Sequence, residues 1–598
     1  MDEKHRSPFL RRIIPLILFA LVGSSCSWLS DDPEDTFGDF ASALSGRHVG
    51  DAAELTTDPA AATTAINDMF EGLGDGAKVV VTADDVESDG SDGRLTMAWN
   101  FGPGKDLRYE TRGRTVESDG DRKLVWDPTL LHDNMLPGST FRYSDDKDLM
   151  TPVVDRGGAA LLEWQTVGVV TVRRDAVDAA STALARALRR FDASITEMSI
   201  RTAAEQQQGD AVTVITLRED DVEAVRAQLE PIEGVTIVDQ GKLLTTDRAL
   251  RSPVLGDIER TWNDVITERA GWSVSLVDAE GNAIDQLTAV PPRATEPLQL
   301  SIDRRLQLLA QRAVATRSEP TALVAMSTNA GGILAVAQNA AADREGAIAL
   351  SGLYPPGSTF KTVTTAAALS EGIATPQTPL PCPGRATIEG RTIPNEDDFD
   401  LGTVPLTTAF ARSCNTTMAG LSNRLGADAL PATATRFGIG VDFVVPGITT
   451  VTGTVPRADS AALRVENGIG QGKVTASPFG MAVAEASLGH GSMVLPTLIS
   501  GRPTTASVKP EPLDPEVVEA LRAMMRQTVS TGTASQLSDI DGLGGKTGTA
   551  EYGDNTRSHG WFAGIVGDIA FASLVVGGNS SAPAVAVAGE FLRPATGR

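Results

Sequence analysis

Hydrophobic positions in the second half of the chain follow the periods of helices and strands in a regular order. Apolar residues recur at helical spacing in one segment, and short apolar runs bounded by glycine and asparagine form the others. The predicted elements are a helix at 304–314, a hairpin of strands 321–326 and 332–337, strands 544–551, 561–566 and 571–576, and a closing helix at 584–592. Residues 295–598 therefore predict an antiparallel sheet covered by helices.

The segment 26–143 has a different pattern, in which one helix precedes several strands. The predicted elements are a helix at 37–44 and strands near 78–82, 94–101 and 123–127. Trp99, Tyr109 and Trp126 supply most of its large aromatic surface. Helices followed by a curved antiparallel sheet fit an α+β domain.

The segment 144–294 mixes the two periods. The predicted elements are strands 166–172, 212–217 and 235–238 and helices 175–190 and 220–229. None of its motifs points to chemistry, and Pro291-Pro292 marks its exit. A spacer domain over 144–294 is the interpretation, so the whole chain predicts a multidomain α+β protein.

The N-terminus reads as a targeting segment. Basic residues precede the apolar run 13–22, which is too short to span a bilayer comfortably but suits the core of a signal peptide. Gly23-Ser24-Ser25 then leads to Cys26 and resembles the lipobox of bacterial lipoproteins, although Gly23 stands where a larger aliphatic residue is usual. The sequence predicts a signal peptide over 1–25 and lipidation at Cys26, with an uncleaved anchor as the alternative. Either outcome places the chain at the extracytoplasmic face of the cell membrane.

Composition excludes several functions. A formal net charge of -25 would repel a phosphate backbone, so no nucleic-acid partner is expected. The three cysteines and five histidines form no zinc-ligand spacing. We therefore expect no metal, and the acidity is typical of a solvated surface.

The strongest candidate chemistry lies at Ser358 and Lys361. Pro355-Pro356-Gly357 cannot continue a helix, and the alanine-rich run after it predicts one that starts at about Ser358. Residues i and i+3 lie on one helical face, so the Lys361 amine can approach the Ser358 hydroxyl. A lysine whose pKa is lowered can remove the proton from a serine nucleophile. The pair is a candidate covalent catalyst.

Two later motifs give this pair its weight. Ser413-Cys414-Asn415 and Lys546-Thr547-Gly548-Thr549 follow it in that order. The decoy Ser144-Asp145-Asp146-Lys147 has the same spacing in an acidic stretch, and the decoy Ser327-Thr328-Asn329 lies upstream of the nucleophile. The ordered triple S-x-x-K, S-x-N, K-T-G is the signature of penicillin-recognising acyl-serine transferases.

The flanking phrases narrow the resemblance. Tyr354-Pro355-Pro356-Gly357, Gly470-Gln471-Gly472 and Trp561-Phe562-Ala563-Gly564 surround the motifs. With them, residues 296–598 resemble the transpeptidase domain of class B penicillin-binding proteins. The resemblance implies a penicillin-binding, serine β-lactamase-like fold, D-Ala-D-Ala stem peptides and β-lactams as ligands, a membrane glycosyltransferase as partner, and no cofactor.

The same resemblance implies the residue roles. Ser358 forms the acyl-enzyme with Lys361 as its base, and Ser413 relays the proton to the leaving amine. Asn415 contacts the substrate amide and Lys361, and Lys546 supplies positive charge. The remaining roles fall to the third motif: Thr547, Gly548 and Thr549 bind substrate, and the N–H groups of Ser358 and Thr549 form the oxyanion hole.

The N-terminal half carries weaker resemblances. Val125-Trp126-Asp127-Pro128 and the residues after it are similar to the end of the NTF2-like extension of methicillin-resistance-type penicillin-binding proteins. Residues 144–294 occupy the place of the pedestal, or dimerisation, domain. An unrelated spacer remains the alternative for 26–143.

Other functions fit the residues less well. A P-loop would need glycine at position 540, which is Ile540, and no G-x-S-x-G elbow supports a Ser-His-Asp hydrolase. A serine β-lactamase, a D,D-carboxypeptidase and a β-lactam-binding scaffold without turnover remain alternatives. Asn415 in the second motif and the long non-catalytic N-terminal half favour the transpeptidase.

Cys382 and Cys414 leave one question open. Both should face an oxidising compartment, where a disulfide can persist. Such a bridge would fix the segment that presents Ser413 and Asn415. A free, buried Cys414 packed as a small hydrophobe is the alternative.

Overall fold

The computed structural model describes residues 33–87, 91–118, 120–146, 151–278, 281–293, 295–553 and 556–597. The predicted signal peptide and Cys26 fall outside them. The chain divides into two compact units, Met1–Asp146 with Ala270–Pro292, and Lys147–Arg269 with Arg293–Arg598. Among the described residues, no helix combines the length and the hydropathy that crossing a membrane requires.

The first unit packs three helices with two antiparallel sheets. The helices are Pro33–Ser45, Val49–Glu54 and Pro59–Leu73, and the sheets comprise Lys78–Asp84, Asp92–Asn100, Asp106–Ser118 and Asp121–Leu124, and Ala283–Val290, Gly271–Val277 and Thr140–Asp146. The third helix begins with Asp58 accepting from the N–H of Ala61 and with proline at its first position, a favourable start. Strand Asp106–Ser118 was not predicted, because one face is mostly charged and the other carries only two large apolar side chains, Leu107 and Tyr109.

The structure corrects the predicted domain boundary at 294. Strand Gly271–Val277 pairs antiparallel with Thr140–Asp146, so residues 270–292 belong to the first unit and not to a spacer ending at 294. Trp272 and Val274 are buried in the hydrophobic core of that unit. The prediction failed because the pairing joins segments more than a hundred residues apart, which no local pattern records.

The rest of the predicted spacer lies in the second unit. Strand Ala160–Arg173 pairs with Ala211–Arg218 on one side and Val235–Thr245 on the other. The helices of this segment are Val177–Leu188, Glu197–Gln206, Glu219–Leu229 and Leu255–Arg269. Trp262 on the last helix shares one core with Leu300 and Met326. The spacer and the C-terminal region therefore share a continuous core.

A five-stranded antiparallel sheet is the centre of the second unit. Its order is Ile333–Gln338, Thr321–Ser327, Ile569–Val575, Arg557–Val566 and Gly544–Tyr552. Alternate residues of Thr321–Ser327 enter opposite cores: Ala322 and Val324 face one, and Leu323 faces the other. Burial on both faces explains why these strands are continuous apolar runs.

Helices cover both faces of this sheet. Arg304–Val314 and Ala582–Ala595 contribute to one core, and Pro478–His490, which is buried on all sides, contributes to the other. The other helices of at least six residues are Lys361–Ser370, Leu406–Ala411, Asn415–Arg424, Ala429–Arg436, Ala461–Asn467 and Pro515–Ser530. Asp303 caps Arg304–Val314 by accepting from the N–H of Leu306, and the predicted bounds of this helix are confirmed.

Candidate active site

The predicted nucleophile lies on a tight turn. A 3-10 helix, Gly357–Phe360, leads into the α-helix Lys361–Ser370, so the α-helix begins three residues later than predicted. Gly357 has φ +52° and donates its N–H to the carbonyl of Gly470 at 2.9 Å. A Cβ at Gly470 would lie 1.9 Å from the Gly357 carbonyl oxygen. Glycine at both positions therefore lets the two backbones meet.

Two neighbouring strands support this turn. Trp561 is fully buried, and its Nε1 donates to the carbonyl of Pro355 at 2.9 Å. Strand Gly544–Tyr552 runs alongside, since a Cβ at Gly548 would lie 2.8 Å from the Pro356 carbonyl oxygen. The third motif is thus brought against the first.

The Ser413 hydroxyl lies between the two lysines of the motifs. Lys361 Nζ donates to the Ser413 carbonyl at 2.8 Å, to Ser413 Oγ at 3.2 Å and to Asn415 Oδ1 at 2.6 Å. Lys546 Nζ donates to Ser413 Oγ at 2.9 Å and to the Thr547 carbonyl at 2.9 Å. Within the described chain, the side-chain hydrogen bonds of Lys361 go to the second motif and not to the hydroxyl of the half-buried Ser358.

Burial lowers the pKa of both lysines. The Lys361 amine is fully buried, and burial together with the positive charge of Lys546 holds its pKa well below the usual 10.5, although Glu396 opposes the shift. Burial also lowers the pKa of Lys546 to about 7, against the same opposing Glu396. Two ammonium groups on one hydroxyl repel each other. Lys361 is therefore the more readily deprotonated of the two lysines and the candidate base, and Lys546 is the candidate cation, 5.8 Å from the Phe410 ring.

A strained residue presents the second motif. Helix Leu406–Ala411 ends in a Schellman motif: the Ser413 N–H donates to the Phe410 carbonyl, and the Cys414 N–H donates to the Ala409 carbonyl. Ser413 has φ +61° in this motif, at the position that glycine usually occupies. Left-handed backbone costs a residue with a Cβ about 1–2 kcal/mol.

A disulfide at Cys414 also fixes the second motif. Cys414 is bonded to Cys382 at the end of strand Pro379–Cys382, with a Cα–Cα distance of 6.1 Å. Both side chains are fully buried. Of the two alternatives that the sequence left open, the structure has the bridge.

The third motif differs from its predicted role in one contact. Thr547 is buried, and its hydroxyl lies 2.6 Å from the hydroxyl of Thr533. Thr549 is half-buried on the strand beside the nucleophile turn, and Gly548 is buried. Thr549 is therefore the more accessible hydroxyl for a substrate carboxylate. No motif marks Thr533, so sequence reasoning missed it.

Two other residues near the site have structural explanations. Gln471 lies in the tight loop after Gly470, where its N–H donates to the Glu466 carbonyl at 3.1 Å. His559 stacks on Tyr552 with ring centroids 4.1 Å apart, and burial lowers its pKa to about 4. A neutral, stacked imidazole of this kind is a packing residue. Within the described residues, no group of three or more acidic, histidine or cysteine side chains could hold a metal ion.

Known proteins match the C-terminal region of this chain. Residues 321–596 match the family described as the penicillin binding protein transpeptidase domain. Peptidoglycan D,D-transpeptidase PbpA of Mycobacterium tuberculosis (strain ATCC 25618 / H37Rv) is 34% identical over 261 residues, which are 40% of this chain and 50% of the relative. Peptidoglycan D,D-transpeptidase MrdA of Acinetobacter baumannii is 26% identical over 340 residues, 49% of this chain and 50% of the relative. The chain spans about half the length of these curated relatives.

A solved structure extends the likeness in fold. It is a complex between penicillin-binding protein (PBP2) and MreC from Helicobacter pylori, matched with a TM-score of 0.58 and 18% identity. The match covers 77% of this chain and 99% of that one. At this identity the likeness shows the fold alone. The transpeptidase domain predicted from the three motifs is confirmed by the family match.

Proposed function

We propose that this chain, whose residues 321–596 form a penicillin-binding protein transpeptidase domain, is a peptidoglycan D,D-transpeptidase that cross-links stem peptides through an acyl-enzyme on Ser358. The observation that carries the proposal is the Ser413 hydroxyl held between the buried Lys361 and Lys546. A neutral lysine beside a hydroxyl relay can activate a serine without histidine.

Acylation balances with these groups alone. Ser358 Oγ attacks the carbonyl of the D-Ala-D-Ala bond, and its proton passes to the neutral Lys361 amine. The C–N bond breaks, and the leaving D-alanine amine takes that proton from Lys361 through Ser413, which leaves Lys361 neutral again. The N–H groups of Ser358 and Thr549 hold the oxyanion, an arrangement in which one donor is typically worth about 3–4 kcal/mol.

Deacylation completes the cross-link. The amine of a second stem peptide attacks the acyl carbonyl and gives a proton to the neutral Lys361. Lys361 passes that proton to Ser358 Oγ as the ester C–O bond breaks. If water took the place of that amine, the product would be that of a D,D-carboxypeptidase or, with a β-lactam, of a β-lactamase. The lifetime of the acyl-enzyme separates these outcomes.

Mass spectrometry with a penicillin tests the assignment. Wild type should gain the mass of one penicillin, and Ser358→Ala should gain none. Ser144→Ala is the matched control, because Ser144 has the same S-x-x-K spacing on an exposed strand of the first unit, and it should be labelled like wild type. Equal labelling of wild type and Ser358→Ala would remove the site assignment. An adduct hydrolysed within seconds would move the function to β-lactamase.

We also propose a lipid anchor at Cys26, an NTF2-like fold for the first unit and a membrane glycosyltransferase as partner. The short apolar run before Cys26 supports the anchor, and helices packed with antiparallel sheets support the fold. Cys26→Ser should leave an unprocessed precursor, and the mature wild type should carry an acyl mass at residue 26. A mature N-terminus elsewhere would disprove the anchor.

Cross-linking in membranes that never recovers a glycosyltransferase would disprove the partner.

A further inference from the structure

We propose that Asn395 is a positioning residue for the Ser413–Asn415 motif, because its side chain caps the helix that begins at Asn415 and fixes how Asn415 meets Lys361. Asn395 lies in none of the three motifs. The inference rests on the proposed function, since it concerns the base of the same acylation.

The helix Asn415–Arg424 lacks a cap of its own. Its N-cap residue is Cys414, which makes no side-chain capping hydrogen bond and whose sulfur is bonded to Cys382. The first N–H groups of a helix need acceptors from outside the helix. Asn395 Oδ1 supplies one, accepting from the N–H of Asn415 at 2.8 Å and from the N–H of Thr416 at 3.2 Å.

The other end of the Asn395 amide is also held. Its Nδ2 donates to the carbonyls of Pro383 at 2.9 Å and Phe399 at 2.8 Å. The side chain is 2% exposed, so these bonds lie away from solvent. Two accepted hydrogen bonds at Oδ1 and two donated hydrogen bonds at Nδ2 leave the amide a single orientation. Asn395 thus joins the chain beside the disulfide to the start of the helix.

The residue before it orients the Asn415 side chain. Asn415 Nδ2 donates to the carbonyl of Pro394 at 2.9 Å. Because this bond fixes Asn415 Nδ2, it directs Asn415 Oδ1 to Lys361 Nζ, 2.6 Å away. Segment Pro394–Asn395 therefore holds both the backbone and the amide of the residue that Lys361 contacts.

Loss of the Asn395 side chain has a definite consequence at Lys361. The four hydrogen bonds of the Asn395 amide to backbone groups disappear, and the segment is released from the helix. Asn415 Oδ1 then withdraws from the amine, and an ammonium that loses an acceptor has a lower pKa. Lys546 and Glu396 are the other charged groups acting on Lys361. Glu396 follows Asn395 directly in the chain, so release of the segment should displace it as well. Its withdrawal lowers the pKa in the same direction.

The test is a double-mutant cycle on penicillin acylation from pH 5 to 9, with wild type, Asn395→Ala, Asn415→Ala and the double variant of the full chain. Asn395→Ala should lower the second-order rate constant by about tenfold or more and move its acid limb to lower pH. The double variant should be about as slow as Asn415→Ala alone. Asn423→Ala is the control, because Asn423 lies on the same helix and bonds only Glu389 among the described side chains; it should match wild type.

Three results would overturn the inference: wild-type acylation by Asn395→Ala, effects that multiply fully in the double variant, or a reduced rate with an unmoved acid limb. If Asn395→Ala does not fold, Asn395→Asp replaces it in the cycle. That variant keeps the oxygen facing the helix but loses the two donated bonds, and it should still be slower than wild type and non-additive with Asn415→Ala. A wild type that penicillin does not acylate at Ser358 would instead overturn the proposed function.

Discussion

The first two motifs of the active site are built in different ways. Ser358 and Lys361 lie on one continuous helical stretch, so their separation follows from helix geometry. Ser413 lies just after the end of one helix, and Asn415 begins the next. Ser413 has a left-handed backbone, and a disulfide joins Cys414, between the two, to Cys382. The geometry of a short motif can therefore be set by local periodicity or by contacts from distant parts of the chain.

The difference also appears in backbone conformation. Glycine occupies the left-handed position next to Ser358, whereas Ser413 itself has positive φ. In the first motif a glycine takes the left-handed conformation without strain. In the second, the surrounding contacts hold Ser413 in that conformation. Residues kept in a costly conformation often serve function rather than stability.

The largest expected effect is at Ser413, where two substitutions distinguish the role of the hydroxyl from the cost of the left-handed backbone. Ser413→Ala and Ser413→Gly should both lower the acylation rate constant by about 10²–10⁴, because each removes the group between the lysines. Ser413→Gly should have a free energy of unfolding about 1 kcal/mol higher than Ser413→Ala, because glycine relieves the left-handed strain. It should therefore also melt at a higher temperature. Acylation kinetics and thermal melts on one preparation measure both. Equal melting temperatures would contradict the strained assignment.

The next effect concerns the positive charge of Lys546, which the third motif places against Ser413 of the second. Since the pKa of Lys546 is about 7, its ammonium is present below pH 7 and lost as pH rises, so acylation by a carboxylate-bearing penicillin should fall through this range. Lys361 has a pKa well below 10.5 and gives the acid limb. Lys546→Arg stays charged and should abolish the alkaline limb up to about pH 9. An alkaline limb unchanged in that variant would reassign it to another group.

The smallest effect on rate comes from the disulfide. Reduction should slow acylation by only a few-fold, because Asn395 and the Schellman motif still hold Ser413 and Asn415. It should lower the free energy of unfolding by about 3–4 kcal/mol, from the loss of a loop constraint across a sequence separation of 32. Thiol titration of denatured, unreduced mature protein should find neither Cys382 nor Cys414 free. Two titratable thiols there would exclude the bridge.

Sequence patterns predicted the parts of this molecule that depend on neighbours along the chain. The helix Arg304–Val314, the strands of the central sheet and the three motifs all carry local periods or fixed spacings. The boundary at 270–292 was wrong because its strand pairs with 140–146 across the chain. Asn395 and Thr533 were missed for the same reason, since each acts through one side chain on a motif residue far from it in sequence. The cysteines were noticed, but only geometry could choose the bridge.

The hydrogen bond from Trp561 to Pro355 makes the nucleophile turn visible to spectroscopy. This indole is fully buried and bonds the backbone three residues before Ser358. The chain has seven tryptophans, so its ordinary fluorescence would mix their signals. Incorporation of 5-fluorotryptophan would give each indole its own ¹⁹F resonance, and Trp561→Phe would identify the one that belongs here. That resonance would report the turn directly, before and after a ligand acylates Ser358, with no label placed in the active site.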